Sequence, residues 1–209
     1  MKTETLPADH PFAIPHALDV LRNHGLVAFP TDTVYGLGAL AFDPLAVERI
    51  YAVKGRSHTK AIAILLHDAR QLPEVASDVG EGAMRLAERF WPGPLTLVMP
   101  RHPNVPQAVS RLPTIGVRVP NHPVALKLLA NAGPMAVTSA NRSGAENPLT
   151  ARDVLAQLGG HIHLILDGGH APGGIPSTVV DCTGPQPVVL REGPISLDEI
   201  TKELGKIED

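Results

Sequence analysis

Short apolar runs, each closed off by proline or glycine, constrain this chain more than any other feature. Gly25-Leu-Val-Ala-Phe29, Ala61-Ile-Ala-Ile-Leu-Leu66, Leu95-Thr-Leu-Val-Met99, Met135-Ala-Val-Thr138 and Leu164-Ile-Leu166 have the length of strands and are too short for helices. Thr114 to Pro120 is a further strand, and Ser177 to Cys182 with Pro187 to Leu190 reads as a strand pair. Between them lie segments with helix start and stop signals. Pro15 to His24 ends at Gly25; Asp43 caps a helix with Pro44 in its first turn, closed by Gly55 after Lys54; Gly82 to Phe90 and Val124 to Asn131 follow. Thr150 caps a helix through Leu158, and Ser196 caps a last one from Leu197 to Leu204. This interleaving predicts an α/β (α+β) fold, a twisted mixed sheet with flanking helices.

The chain of 209 residues suits one large domain, long enough to bury roughly 70% of the surface of the unfolded chain. No repeat or linker divides it. Aromatics make up 3%, so the core rests on Leu, Val, Ile and Ala, and a base-stacking surface is disfavoured. A formal charge of −3 lacks the basic excess of a duplex-wrapping protein. The single cysteine, Cys182, excludes an intramolecular disulfide framework and reads as a buried, inert thiol. No apolar run approaches the ~20 residues of a membrane span, and Met1 to Pro7 lacks a signal-peptide core. A cytoplasmic protein with no membrane partner is the expectation.

Phosphate-loop, dinucleotide-loop, nucleophile-elbow and His-Glu-x-x-His patterns are absent. His10, His102 and His122 each precede proline and read as exposed loop residues. Polar residues instead gather at strand ends. Pro30-Thr-Asp-Thr-Val-Tyr-Gly-Leu-Gly38 leaves the first strand with Thr31 and Thr33; Thr138, Ser139 and Asn141 follow another; Lys54 and Arg56 lie between a helix end and a strand. In open α/β sheets such carboxyl ends hold ligands. Arg118 lies inside an apolar strand and needs a carboxylate or phosphate partner. Each also has a plain structural reading: a Pro-Thr-Asp turn, a cation at a helix C-terminus for Lys54, a salt bridge for Arg118. Together they offer cations, hydroxyls and amides without a nucleophile, which suits phosphoryl or nucleotidyl transfer.

Phe29-Pro-Thr-Asp-Thr-Val-Tyr-Gly-Leu-Gly38 resembles the Pro-Thr-Glu/Asp-Thr-x-Tyr-Gly-Leu signature of the YrdC family, the threonylcarbamoyl-AMP synthases. Lys54-x-Arg56 and Ser139-x-Asn141 match its Lys-x-Arg and Ser-x-Asn tetrad. Phe90 to Leu97, Val117 to Pro123, Ser177 to Asp181 and Arg191 to Gly193 agree in order. Lys60-Ala61-Ile62 departs from the Asn-Pro-Leu that many relatives carry, and bears on one edge of the pocket. The resemblance implies a YrdC-like domain over 12–195 with a concave basic pocket. Residues 1–11 are then a loose lead-in and 196–209 a C-terminal helix and tail, without the extra domain of some relatives.

It further implies a nucleotidyltransferase that joins L-threonine, bicarbonate or CO2, and ATP into threonylcarbamoyl-AMP and pyrophosphate. Partner proteins would then carry the threonylcarbamoyl group to adenosine 37 of tRNAs. On this resemblance Arg118 pairs with the threonine carboxylate, and Thr33, helped by Thr31, Thr138 and Ser177, holds its amino and hydroxyl groups. Lys54 and Arg56 neutralise the triphosphate, Ser139 and Asn141 position phosphates, Thr114 and Arg191 lie near the nucleotide, and Mg²⁺ rides mainly on the ATP phosphates. Asp32 is either a turn cap or a magnesium neighbour. Two other readings stand beside this one: carbamoyl transfer as in a hydrogenase-maturation protein, and a double-stranded RNA-binding module using Lys54, Arg56, Lys60, Arg118 and Arg191.

Overall fold

The computed structural model describes residues 2–205. Its strands are β1 (Glu4–Pro7), β2 (Val27–Phe29), β3 (Gly36–Leu40), β4 (Ala63–Leu65), β5 (Leu95–Pro100), β6 (Thr114–Arg118), β7 (Met135–Ser139), β8 (Leu164–Asp167), β9 (Thr178–Asp181) and β10 (Val188–Arg191). The helices are α1 (Ala13–Arg22), α2 (Pro44–Lys54), α3 (Leu72–Val75), α4 (Glu81–Phe90), α5 (Pro123–Ala132), α6 (Ala151–Leu158) and α7 (Leu197–Leu204). The strands form one mixed sheet in the order β1-β8-β2-β3-β7-β4-β6-β5-β9-β10.

Helix ends follow the chemistry of their caps. The Asp43 carboxylate accepts from the Leu45 and Ala46 N–H groups, and Gly55 closes α2 in the left-handed region at φ 59°. Thr150 with Asp153, and Ser196 with Glu199, form reciprocal capping boxes for α6 and α7. His122 caps α5, accepting from the Val124 N–H at 3.3 Å.

Two expectations need correcting. The lead-in is not loose, because β1 pairs in parallel with β8 from Glu4 to Pro7 and ties residues before α1 to the sheet edge. Nor does the Pro30 to Gly38 stretch simply leave the sheet. It turns back, and Gly36 to Leu40 re-enters as β3, antiparallel to β2 and β7. The two glycines hid a strand whose other face abuts close neighbours: a Cβ at Gly36 would lie 2.7 Å from Val137 Cγ1.

Along the central strands, alternate residues go to opposite faces. Ile64, Leu95, Leu97, Met99, Ile115 and Val117 enter one apolar cluster with Ile50 of α2, Leu86 of α4 and Leu158 of α6. Fully burying each such side chain contributes roughly 1.5–3 kcal/mol. A second cluster joins α1 and α5 to β2 and β8 and reaches Leu65 and Val137 on the opposite face. That cluster covers one half of this face. The other half carries Ala63, Thr96, Gly116 and Arg118, and a cavity opens there.

Candidate active site

The cavity measures about 410 Å³ and is floored by the sheet itself, with the Thr31 to Val34 loop on one side and Pro176, Ser177 and Arg191 on another. Of the residues singled out from the sequence, Thr31, Thr33, Arg56, Arg118, Thr138, Ser139, Ser177 and Arg191 line it. Lys54, Asn141 and Thr114 do not. Ligand space thus lies over a strand face as well as at strand ends. Gly116 keeps the floor low: a Cβ there would already stand 3.1 Å from Thr96 Cγ2.

The opening loop is knotted by Thr31. Its Oγ1 accepts from the Thr33 and Val34 N–H groups at 3.2 and 3.3 Å and donates to the Val34 carbonyl at 2.7 Å. With that hydrogen used, the 3.0 Å contact to Thr33 Oγ1 must be donated by Thr33. Thr33 Oγ1 in turn accepts from Arg118 Nη1 at 3.1 Å. Arg118 also donates from Nε to the Gly93 carbonyl at 3.0 Å and from Nη2 to Asp32 Oδ1 at 2.5 Å. Three of the five guanidinium N–H groups are thereby committed and two are left. Burial pulls the Arg118 pKa below the usual guanidinium range; Asp32 opposes this and Arg191 adds to it. The structural salt bridge weighed for Arg118 exists, and the side chain still faces the cavity.

Lys54 sits behind the wall at 4% exposure. Its Nζ donates to the Ser139 carbonyl at 2.5 Å, the Asn141 carbonyl at 2.5 Å and Asn141 Oδ1 at 3.1 Å. An ammonium has three donors, so all are engaged. Asn141 Oδ1 also accepts from Ser139 Oγ at 2.6 Å, and Asn141 Nδ2 donates to the Ala145 carbonyl at 2.6 Å. Burial, with a smaller push from Arg56, brings Lys54 from its ordinary 10.5 down to about 7. Arg56 lines the cavity and grips the next segment through backbone, donating to the Lys60 and Ala61 carbonyls at 3.0 and 2.8 Å. Those contacts do not depend on the side chains at the Lys60-Ala61 departure. Ala61, Ile62 and Ala63 make that cavity edge small and apolar.

On the far strands, Arg191 holds the Ser177 carbonyl through Nε and Nη2 at 3.2 and 2.8 Å. Ser177 Oγ meets Thr96 Oγ1 at 2.8 Å. Thr96 and Asn147 are cavity residues that sequence reasoning missed. A signal existed for Thr96, the polar member of an otherwise apolar strand. Thr114 begins β6 two residues before Gly116 on the same face, outside the lining, where its carbonyl accepts from Ser110 Oγ at 2.8 Å. Cys182 is half-buried, and desolvation with nearby Asp181 pushes its thiol up to about 12, so it stays protonated. Among the described residues no group of three or more His, Cys, Asp or Glu could hold a metal, and no helix is long and apolar enough to cross a membrane. Of the five cations invoked for a duplex-RNA surface, Lys54 and Arg118 are buried, at 4% and 6% exposure.

Arginines and hydroxyls surround a cavity without histidine, carboxylate or thiol in its lining, a donor set of the kind suited to anionic ligands. Residues 19–193 match the Sua5/YciO/YrdC family, described under telomere recombination, and the chain belongs to that family. It is 46% identical over 193 residues to the threonylcarbamoyl-AMP synthase of Pyrococcus abyssi, covering 91% of this chain and 57% of that protein. It is 39% identical over 200 residues to a putative threonylcarbamoyl-AMP synthase of Mycobacterium tuberculosis, covering 95% and 92%. The crystal structure of P. abyssi Sua5 complexed with L-threonine superposes with a TM-score of 0.93 at 42% identity, over 99% of this chain and 62% of that one. The chain thus spans about three-fifths of the Pyrococcus protein and nearly all of the mycobacterial one.

Proposed function

We propose that this chain is a nucleotidyltransferase that makes L-threonylcarbamoyladenylate and pyrophosphate from L-threonine, bicarbonate or CO2, and ATP. One observation carries the reading: Arg118, Arg56 and Arg191 line a single cavity with Thr33, Ser139 and Ser177. The names of the relatives at 39–46% identity favour it over carbamoyl transfer.

The chemistry needs positioning more than proton relay. Threonine's amine adds to CO2 and loses a proton, giving a carbamate. A carbamate oxygen forms a bond to the α-phosphorus of ATP as the bond to the bridging oxygen breaks, and pyrophosphate leaves. The two uncommitted N–H groups of Arg118 suit a threonine carboxylate, a planar pairing that lysine does not reproduce. Thr33 and Ser177, with Thr31 and Thr138 beside them, hold the amino and hydroxyl groups. Arg56 and Arg191 offset phosphate charge, and Ser139 orients a phosphate oxygen. Lys54 and Asn141 act one layer out, by setting the Ser139 turn; Lys54 reaches a phosphate only by releasing one of its three oxygens. The lining offers hydroxyls and no carboxylate, so Mg²⁺ would be held mainly by the ATP phosphates, whose charge it would offset. The product then passes to proteins that modify adenosine 37 of tRNA.

Incubation with ATP, L-threonine and bicarbonate tests the reading, following pyrophosphate and the adenylate. Both products should require all three substrates. Pyrophosphate release that persists without threonine sinks it.

A further inference from the structure

We infer that Asp32 is a positioning residue of this site, setting the plane of the Arg118 guanidinium so that its uncommitted N–H groups meet a substrate carboxylate. The inference rests on the threonine reading above and adds a residue to it.

A turn-capping aspartate would accept from the N–H groups of its own loop. Here the Thr33 and Val34 N–H groups go to Thr31 Oγ1 instead, so the loop is already capped without Asp32. Asp32 reaches outward. Its Oδ1 takes Arg118 Nη2 at 2.5 Å and the Asn121 N–H at 3.0 Å, both from across the fold. Its Oδ2 is buried with no hydrogen-bond partner among the described residues. A desolvated carboxylate oxygen is a cost that ordinary turns avoid, and it calls for an explanation. The Arg118 cation supplies one. The two side chains are 7% and 12% exposed, and removal of one partner would leave the other charge buried and unpaired.

The guanidinium is held on three edges: Nε by the Gly93 carbonyl, Nη1 by Thr33 and Nη2 by Asp32. Asp32 alone of these is charged. The loop bearing it is clamped from behind. The Gly174 N–H donates to the Thr33 carbonyl at 2.8 Å, and a Cβ at Gly173 would stand 2.6 Å from the Asp32 carbonyl oxygen. Asp32 itself does not line the cavity, so it acts through Arg118 and not on the substrate.

Asp32→Asn keeps the size and the acceptor for Asn121 while removing the charge. In steady-state pyrophosphate release it should raise the L-threonine KM at least about tenfold and leave the ATP KM within about twofold. Asp32→Glu should restore the threonine KM to within about threefold of the parent. Gly173→Ala, whose Cβ would press on the Asp32 carbonyl and on Thr33 Cα at 2.8 Å while leaving the Asp32 charge intact, should raise the threonine KM about threefold; it provides the measurement should Asp32→Asn not fold. An unchanged threonine KM in Asp32→Asn or Gly173→Ala, an equal rise in both KM values, or no rescue by Glu overturns the inference. The unaltered protein separates the two layers. If its pyrophosphate release is independent of threonine, the functional reading falls and takes this inference with it. If it needs threonine and Asp32→Asn matches it, the inference falls alone.

Discussion

The same strands present two chemically different faces. On β4, β5 and β6 one face reads Ile64, Leu95, Leu97, Ile115 and Val117, all essentially unexposed and packed under α2, α4 and α6. The other reads Ala63, Thr96, Gly116 and Arg118, short or polar residues over which about 410 Å³ stays open. A period of two residues thus separates holding the fold from holding a ligand. Covering helices sharpen the contrast, since α1 and α5 close this second face only as far as Leu65 and Val137.

Exchanging the character of the faces should produce the largest effects. Gly116→Leu would project an isobutyl group from the cavity floor, past the 3.1 Å contact already due at Cβ. We expect kcat/KM to fall at least about hundredfold, or roughly 2.7 kcal/mol of transition-state stabilisation. Its neighbour Ile115→Ala, on the packed face, should cost about 2–5 kcal/mol in denaturant unfolding while the folded enzyme keeps its KM values. Paired melts and kinetics check both. If Gly116→Leu only lowers stability, the open half-face is not where substrate lies.

Arg118→Lys comes next. It retains a cation against Asp32 but gives up the planar fork. The threonine KM should rise at least about tenfold, near 1.4 kcal/mol, with the ATP KM little moved. An unchanged threonine KM would assign Arg118 to the fold alone.

Lys54 separates the faces by pH. Its pKa in the fold is about 7 against an ordinary 10.5, so the unfolded chain holds the proton more tightly between those values. Stability from this group therefore rises as pH climbs from about 7 towards 10.5, and the full burial cost applies below 7. Activity should run the other way. Loss of the proton leaves two donors for three oxygens and slackens the Ser139 to Asn141 turn, lowering kcat/KM for ATP about fivefold above pH 8. In Lys54→Met both pH dependences should vanish. A high-pH limb that survives in the variant belongs to another group.

Much of this was legible in the sequence because local chemistry marked it. Asp43-Pro44 and Gly55 bound α2, Thr150 and Ser196 open α6 and α7, and proline and glycine fence the strands. β1 and β3 were not legible. Each is a strand only through its partners: β1 has charged and proline ends, and β3 carries two glycines that close neighbours require. In the site, residue type found Arg118, Arg56 and the hydroxyls, but depth was invisible. Lys54 and Arg56 are two residues apart, yet one lies behind the wall and the other in it, because Lys54 is the last residue of α2 and the left-handed Gly55 turns the chain out of the helix before Arg56. Asp32 stayed ambiguous since its partners, Arg118 and Asn121, are more than eighty residues away. Nothing in the uniformly apolar run Ala61-Ile-Ala-Ile-Leu-Leu66 marks Ala61, Ile62, Ala63 and Leu65 as cavity-lining residues.

Thr96 gives the smallest and most discriminating test of the two-face view. Its side chain is nearly isosteric with valine, and Val98, two residues along β5, already occupies the same face. Thr96→Val would therefore leave shape almost unchanged and remove one hydroxyl, the partner of Ser177 Oγ at 2.8 Å. Burial favours the methyl while the lost hydrogen bond costs roughly 0.5–1.5 kcal/mol, so the melting temperature should scarcely move. Ser177 would remain tied to Arg191, through its carbonyl and a longer 3.5 Å contact at its hydroxyl, but lose the shorter of the two contacts on that hydroxyl. A rise of about threefold in the threonine KM, near 0.6 kcal/mol, with stability and the ATP KM unaltered, would show that the hydroxyl serves the cavity. A stability loss with kinetics unchanged would place Thr96 with the packed face, and the boundary between the two faces would then run between β6 and β5.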